Sequence, residues 1–278
     1  ESVQRLVSMQ STYLKNVLSE LESHGFYFTY PDQLDVKSKA WLRHYFEEHI
    51  YPVVTPLAVD SGHPFPFLTN HTINAIVRIF QVLPDGTKDY KIAILPIPSV
   101  LNRIIEIPSR SNKEHRFVYL EDVITYYATQ FFQGYGIEDF MVFRITRDAD
   151  LEIDEEEATD LLSEVEASLR RRRRGDAVRL EVCGDVKDNL LDFVLTSVEL
   201  EPKDVYRIDG HLDCRMYFDF CNYPGLDHLR YAPFEPKLPS ELVDHEGESL
   251  FSVIGKQDLF VHHPFESFAV VEQFIAQA

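Results

Sequence analysis

Hydrophobic positions at the start of the chain recur at spacings of three and four. Leu6, Met9, Tyr13, Leu14, Val17, Leu18 and Leu21 predict one apolar helical face, which Gly25 stops. Val36 to Ile50 repeats the theme through Ala40, Leu42, Tyr45, Phe46 and His49. The two segments predict an antiparallel helical hairpin whose apolar stripes need cover from elsewhere. At Tyr51 the pattern changes. Pro52, Pro56, Pro64 and Pro66 rule out helix and central strand, leaving an extended connection.

Alternation then takes over. Asn74–Leu83 and Asp89–Pro98 predict strands joined by a Pro84-Asp85-Gly86 turn. Phe117–Leu120 predicts a short strand, about Glu121–Phe132 a helix, and Phe140–Thr146 a strong strand. Asp154 with Glu157 three residues on has the form of a capping box, opening a helix that runs to Arg174 and stops at Gly175. Val178–Val182 and Val205–Ile208 predict strands on either side of a Lys187–Thr196 helix. Leu212–Cys221 predicts a helix, Pro224–Pro239 an irregular stretch, and Ser249–Ile254 a short helix. Asp258–His262 predicts a strand, and a last helix runs from Ser267. Hairpins and crossovers together predict an α+β fold: a two-layer mixed sheet with helices on one side, preceded by the helical hairpin.

Composition narrows the functional classes. A chain of 278 residues with 45% hydrophobic and 13% aromatic residues can bury a core without disulfide or metal staples. No apolar run is long enough for a transmembrane helix. The three cysteines, Cys183, Cys214 and Cys221, form no CxxC pair, which fits buried thiols in a reducing compartment. The net charge of −19 disfavours nucleic acid, anionic lipid and other polyanions as partners. The chain opens without Met inside one amphipathic pattern and stops at Ala278 inside another. Both ends fit a segment of a larger cytoplasmic protein.

Candidate chemistry is sparse. Asp148, Asp150, Glu152 and Asp154 alternate like a calcium loop. The sixth position, however, is Ile153 rather than Gly, and the twelfth is Thr159 rather than Glu. An acid-rich first helical turn explains them, because the helix dipole favours anions there. Arg170, Arg171, Arg172, Arg173 and Arg174 point around a helix rather than to one face. They read as a solvated helix end, with a local basic patch as the alternative. His262 and His263 point to opposite faces of a strand and do not share a metal. His24, His63, His71 and His115 are scattered, and no nucleophile elbow, Walker loop, dinucleotide fingerprint or zincin motif is present. Asn70 and Thr72 form a sequon without meaning in a cytoplasmic protein. No catalytic residue and no metal ligand is assigned.

Five stretches nevertheless occur together and in order. They are Tyr51-Pro-Val-Val-Thr-Pro-Leu-Ala-Val-Asp60; His63-Pro-Phe-Pro-Phe-Leu-Thr-Asn70; Phe143-Arg-Ile-Thr-Arg-Asp-Ala-Asp150; the Arg170–Arg174 run leading to Val178-Arg-Leu-Glu-Val182; and Asp258-Leu-Phe-Val-His-His-Pro-Phe-Glu-Ser-Phe268. This set resembles bacterial polyphosphate kinase over essentially the whole chain.

The resemblance implies that residues 1–51 end a helical N-terminal domain, 52–255 form the head domain, and 256–278 begin a phospholipase D-like catalytic domain. It implies an intact enzyme that moves the ATP γ-phosphate reversibly onto polyphosphate through a phosphohistidine, with Mg2+. In the family, the nucleophilic histidine, its partner and the metal ligands lie beyond Ala278, and the nucleotide-contacting asparagine lies before Glu1. The chain itself would then carry no cofactor. It would serve as scaffold within its parent polypeptide, meet ATP and polyphosphate through other domains, and belong to a homo-oligomer, cytoplasmic or in a membrane-associated complex. Arg147, at a strand end beside Asp148, is the first candidate phosphate contact and Arg144 the second; a structural salt bridge is the competing role. The rival functional reading is a stand-alone α+β interaction module using the uncovered N-terminal stripes.

Overall fold

The computed structural model describes residues 2–109, 114–148, 175–184, 186–243, 245 and 247–278. The chain divides into two compact units, Glu1–Phe220 and Cys221–Ala278.

The first unit is built on a sheet of six strands: β2 (Leu57–Val59), β3 (Ile73–Val82), β4 (Lys88–Pro96), β7 (Gly136–Arg147), β8 (Ala177–Cys183) and β9 (Val205–Ile208). Their order is β2-β4-β3-β7-β8-β9. All neighbours are antiparallel except β8 and β9. The parallel pair needs a crossover, which α4 (Asp188–Val198) supplies. The β3–β4 turn falls where the Pro-Asp-Gly signal predicts it. Gly86 has φ +83°, and the Asp85 carboxylate accepts hydrogen bonds from Thr87 N at 2.9 Å and Thr87 Oγ1 at 2.6 Å.

Side chains alternate across a strand, and here both faces of the sheet are apolar. Ala75, Val77 and Ile79 of β3 enter one core with Leu42, Phe46, Ile50, Ile105, Val118 and Ile124. Ile76 enters a second core with Met141, Phe143, Ile145, Leu180, Val182 and the α4 residues Leu190 and Val194. The α+β class with a mixed sheet stands; the difference from expectation is that the sheet carries a core on each face rather than on one. The cause is visible in β3, where Ile73 to Val77 are all buried, a run that only a sheet covered on both faces produces.

The expected helical hairpin is also different. Between α1 (Ser2–Ser23) and α2 (Val36–Tyr45) stands a strand, β1 (Phe26–Phe28). It pairs in parallel with β6 (His115–Tyr119), which pairs with β5 (Ile104–Ile107). No residue of α1 is buried, and Leu6 and Tyr13 of its apolar stripe are 58% and 64% exposed. The second helix is held in the core. The Asp35 carboxylate accepts from Lys37 N and Ser38 N at 2.9 and 3.1 Å, an N-cap that fixes its start. After Tyr45 the backbone widens into a π turn, Phe46–Ile50, closed by Tyr51 N donating to Phe46 O at 2.8 Å. Four residues overshoot one α-helical turn but fall short of a π turn. The mixed geometry thus keeps Leu42, Phe46 and Ile50, all at 0% exposure, on one line.

Smaller differences follow. The expected 121–132 helix is α3 (Leu120–Tyr126) followed by a 3-10 turn, Ala128–Phe131. The 212–221 helix shrinks to α5 (Met216–Phe220). The capping-box helix at 154–174 lies outside the described residues.

The second unit holds α6 (Ser240–Val243), α7 (Leu250–Ile254) and α8 (Ala269–Gln277). The Gln277 side chain accepts Leu250 N at 2.8 Å, and Phe251 meets Phe274 at 5.0 Å between ring centroids. Residues 258–262 form no strand. Their backbone bonds locally instead, with His262 N donating to the Glu266 carboxylate at 2.7 Å and Glu266 N to His262 O at 2.9 Å.

Phe143 sits at 0% exposure on the central strand β7. Phe143→Ala is expected to cost about 3–5 kcal/mol through lost burial and the cavity left behind, measured by urea denaturation followed by tryptophan fluorescence.

Candidate functional site

The charged side chains gather where β9 ends. After Ile208 the chain turns through Asp209–Arg215, and each residue of the turn is tied down. Gly210 has φ +137°, and its carbonyl accepts the Cys183 thiol at 2.9 Å. His211 pairs through Nε2 with Asp122 at 2.8 Å and stacks on Tyr119 at 3.6 Å between centroids. The Tyr119 and Tyr217 hydroxyls meet at 2.6 Å. Leu212 is buried, and its carbonyl accepts Arg103 Nη2 at 2.7 Å. Asp213 takes the left-handed backbone, φ +59°, and its carbonyl accepts Arg103 Nη1 at 3.0 Å. Arg103 in turn is paired with the buried Glu121.

The floor is the sheet face where the first core runs out. Arg144 of β7 lies opposite Glu181 of β8 in the register, and their side chains meet at 2.5 Å. Arg144 also reaches Asp213 at 3.3 Å. Arg179 bonds the other Glu181 oxygen at 2.6 Å and lies over the Tyr206 ring at 4.0 Å. Its buried Nε has no hydrogen-bond partner. Arg144 and Glu181 are only 15% and 6% exposed. Charges so far from water are tolerated because each carboxylate is shared between arginines.

Burial raises the Asp213 carboxyl, but the Arg215 hydrogen bond and the charges of Arg144 and Arg215 outweigh it and hold the group below the usual carboxylate range. Burial, with Asp122 and Glu121 nearby, pushes the Cys183 thiol up to about 12. Burial likewise pushes Tyr217 up to about 12.

Above this floor opens a cleft of about 390 Å³, lined by Gln10 of α1, His71, Arg144, Glu181, Asp213 and Arg215 among others. The two arginines singled out by the sequence do not meet. Arg144 faces this cleft. Arg147 lies on the opposite face, donating from Nε to Leu68 O at 2.9 Å and from Nη1 to Gly175 O at 3.0 Å, with its guanidinium 4.2 Å from the Phe67 ring centroid. Burial lowers its pKa. Arg144 is ion-paired, while Arg147 bonds carbonyls. Gly175 is needed for its close approach, because a Cβ there would stand 2.1 Å from Asp148 O.

Arg170 to Arg174 lie outside the described residues. The thiols are less buried than expected: Cys183 and Cys214 are half-buried and Cys221 is exposed. Among the described residues no group of three or more His, Cys, Asp or Glu is arranged to hold a metal ion, and no helix is long and apolar enough to cross a membrane. Sequence reasoning missed His211, Asp213 and Arg215. The available signal was their alternate spacing in a Gly-containing turn directly after a strand.

Residues 37–220 match the family described as polyphosphate kinase middle domain. The chain belongs to the polyphosphate kinase family. The match ends at residue 220, where the first compact unit also ends. A polyphosphate kinase from Halalkalibacterium halodurans is 40% identical over 279 residues, which cover 99% of this chain and 39% of that protein. One from Pseudomonas syringae pv. tomato is 36% identical, covering 100% of this chain and 38% of that protein. The crystal structure of polyphosphate kinase from Porphyromonas gingivalis superposes with a TM-score of 0.78 at 23% identity, over 100% of this chain and 39% of that one. At that identity the superposition shows the shared fold. The chain spans about 39% of the length of the curated relatives it matches.

The depressed Asp213 carboxyl gives a signed expectation. Its stabilisation is present above the ordinary carboxylate pKa, about 4, and is lost as pH falls through the lower folded-state value. Asp213→Asn is expected to cost about 1.5–3 kcal/mol at neutral pH and to flatten the stability curve below about pH 4, both read from urea denaturation across pH.

Proposed function

We propose that this chain is the non-catalytic middle segment of a polyphosphate kinase that transfers the ATP γ-phosphate reversibly to polyphosphate through a phosphohistidine. The observation that carries the reading is the match of residues 37–220 to the family's middle domain, which lies within one compact unit and ends with it. Its role is to frame the polymer and the catalytic segments rather than to perform the transfer.

The chemistry of the cleft supports this division of labour. Phosphoryl transfer needs a nucleophile, a metal and counter-charges gathered at one point. In the cleft the carboxylates that could serve Mg2+, Glu181 and Asp213, are each occupied by arginines. The donor set does not fit the metal, and we assign Mg2+, ATP and the phosphorylated histidine to other segments of the enzyme. Homo-oligomerisation and a cytoplasmic location belong to the same proposal.

Arg147 is the phosphate contact we favour. It gives hydrogen bonds to neutral carbonyls and feels the charge of Asp176 without a direct ion pair, whereas Arg144 is paired directly with Glu181 and Asp213.

The test uses radiolabelled ATP with Mg2+. The 278-residue chain is expected to take up no acid-labile phosphate and make no polymer, while the intact enzyme does both; labelled phosphohistidine on this chain would overturn the proposal. In the intact enzyme, Arg147→Gln is expected to raise the KM for polyphosphate by about 10-fold, in keeping with a lost charge-assisted hydrogen bond. Arg144→Gln is expected to lower the melting temperature instead.

A further inference from the structure

Arg215 is an exposed side chain held by an unusually well-supported partner. Its guanidinium bonds both Asp213 oxygens, Nε to Oδ1 at 2.7 Å and Nη2 to Oδ2 at 2.6 Å. Asp213 itself is 13% exposed while Arg215 is 64% exposed. The carboxylate is thus a buried post that holds an exposed cation. Arg144 braces the post through the side chain, and Arg103 braces it through the Leu212 and Asp213 carbonyls. The post sits on left-handed backbone, φ +59°, a conformation uncommon outside glycine and kept where the surroundings enforce it. A surface ion pair alone would not call for such support.

The result is a preorganised donor at the edge of a cleft. A guanidinium has five N–H donors, and Asp213 takes two. The others are open to solvent beside a cleft of about 390 Å³ that Gln10 and His71 also line. The volume suits a small ligand. The ionised groups lining it, Arg144 and Arg215 against Glu181 and Asp213, balance one another within a chain of net charge −19. An anion is repelled less here than over most of the molecule, and the fork geometry of arginine matches phosphate oxygens.

We propose that Arg215, with His71 and Gln10 lining the same cleft, forms an accessory binding site for short phosphate chains. This rests on the polyphosphate kinase reading and places a contact on the opposite face of the sheet from Arg147. It also gives Asp213 and Arg144 a positioning role: they aim Arg215.

The probe is tripolyphosphate, titrated into the 278-residue chain by calorimetry at low salt, with citrate as a carboxylate control. The wild type is expected to bind tripolyphosphate more tightly than citrate. Arg215→Gln is expected to weaken binding about 10-fold. Arg215→Lys should fall between, because the charge stays and the fork is lost. Arg116→Gln removes one charge elsewhere on the unit and is expected to leave binding unchanged. Arg215 is exposed, so unchanged melting temperatures check that both of its variants fold. The proposal is overturned if the wild type does not bind, if citrate binds equally well, or if Arg116→Gln weakens binding as much as Arg215→Gln. Loss on Arg147→Gln but not on Arg215→Gln also sinks it, while leaving the Arg147 contact and the family reading intact.

Discussion

A sheet that is apolar on both faces has to be covered twice, and that requirement organises the first unit. One cover comes from α2, the π turn, α3 and the small β1-β6-β5 sheet; the other comes from α4 with Leu68. Phe46, Ile94 and Phe143 are fully buried. Burial on this scale is the main source of stability, at roughly 25 cal/mol per Å² of apolar surface removed from water. The ionic cleft lies where the first cover ends. Beyond Ile208 the sheet face turns from apolar to ionic, and the core gives way to a cleft.

The ionic patch is held by sharing. Glu181 serves Arg144 and Arg179, and Asp213 serves Arg144 and Arg215. A lone buried pair often costs as much in lost hydration as it returns in attraction. A shared carboxylate spreads that cost over several hydrogen bonds and fixes the geometry of all its partners. Arg103 extends the same logic to the backbone, tying the Asp209–Arg215 turn to α3 through Glu121. Side chains thus anchor the turn, although it has no ladder of its own.

Much of the first unit could be read from periodicity. The β3–β4 hairpin, β7, β8, α4 and β9 fall close to where alternation and turn residues place them. Three things could not. Part of the first cover was invisible because Ile104–Ile107 and Phe26–Phe28 are too short for a period to show, and these strands exist through pairing with β6. The strand expected at 258–262 failed because side-chain alternation does not provide a partner edge. The site was only half legible. Arg144 and Arg147 stood out within one motif, but which face each occupies depends on the register and on the bulge between Thr146 and Arg147. Arg215 lay in a turn whose value appears only when residues distant in sequence, Arg103 and Arg144, close around it.

The junction between β7 and β8 has a wider consequence. Asp148 N donates to Asp176 O at 2.8 Å, and Gly175 lies against the Asp148 carbonyl. The chain thus leaves the sheet and re-enters it at one spot, fastened like the neck of a purse. Closing a connection costs only slowly more as its length grows, so whatever lies between can be lengthened or shortened without moving either strand.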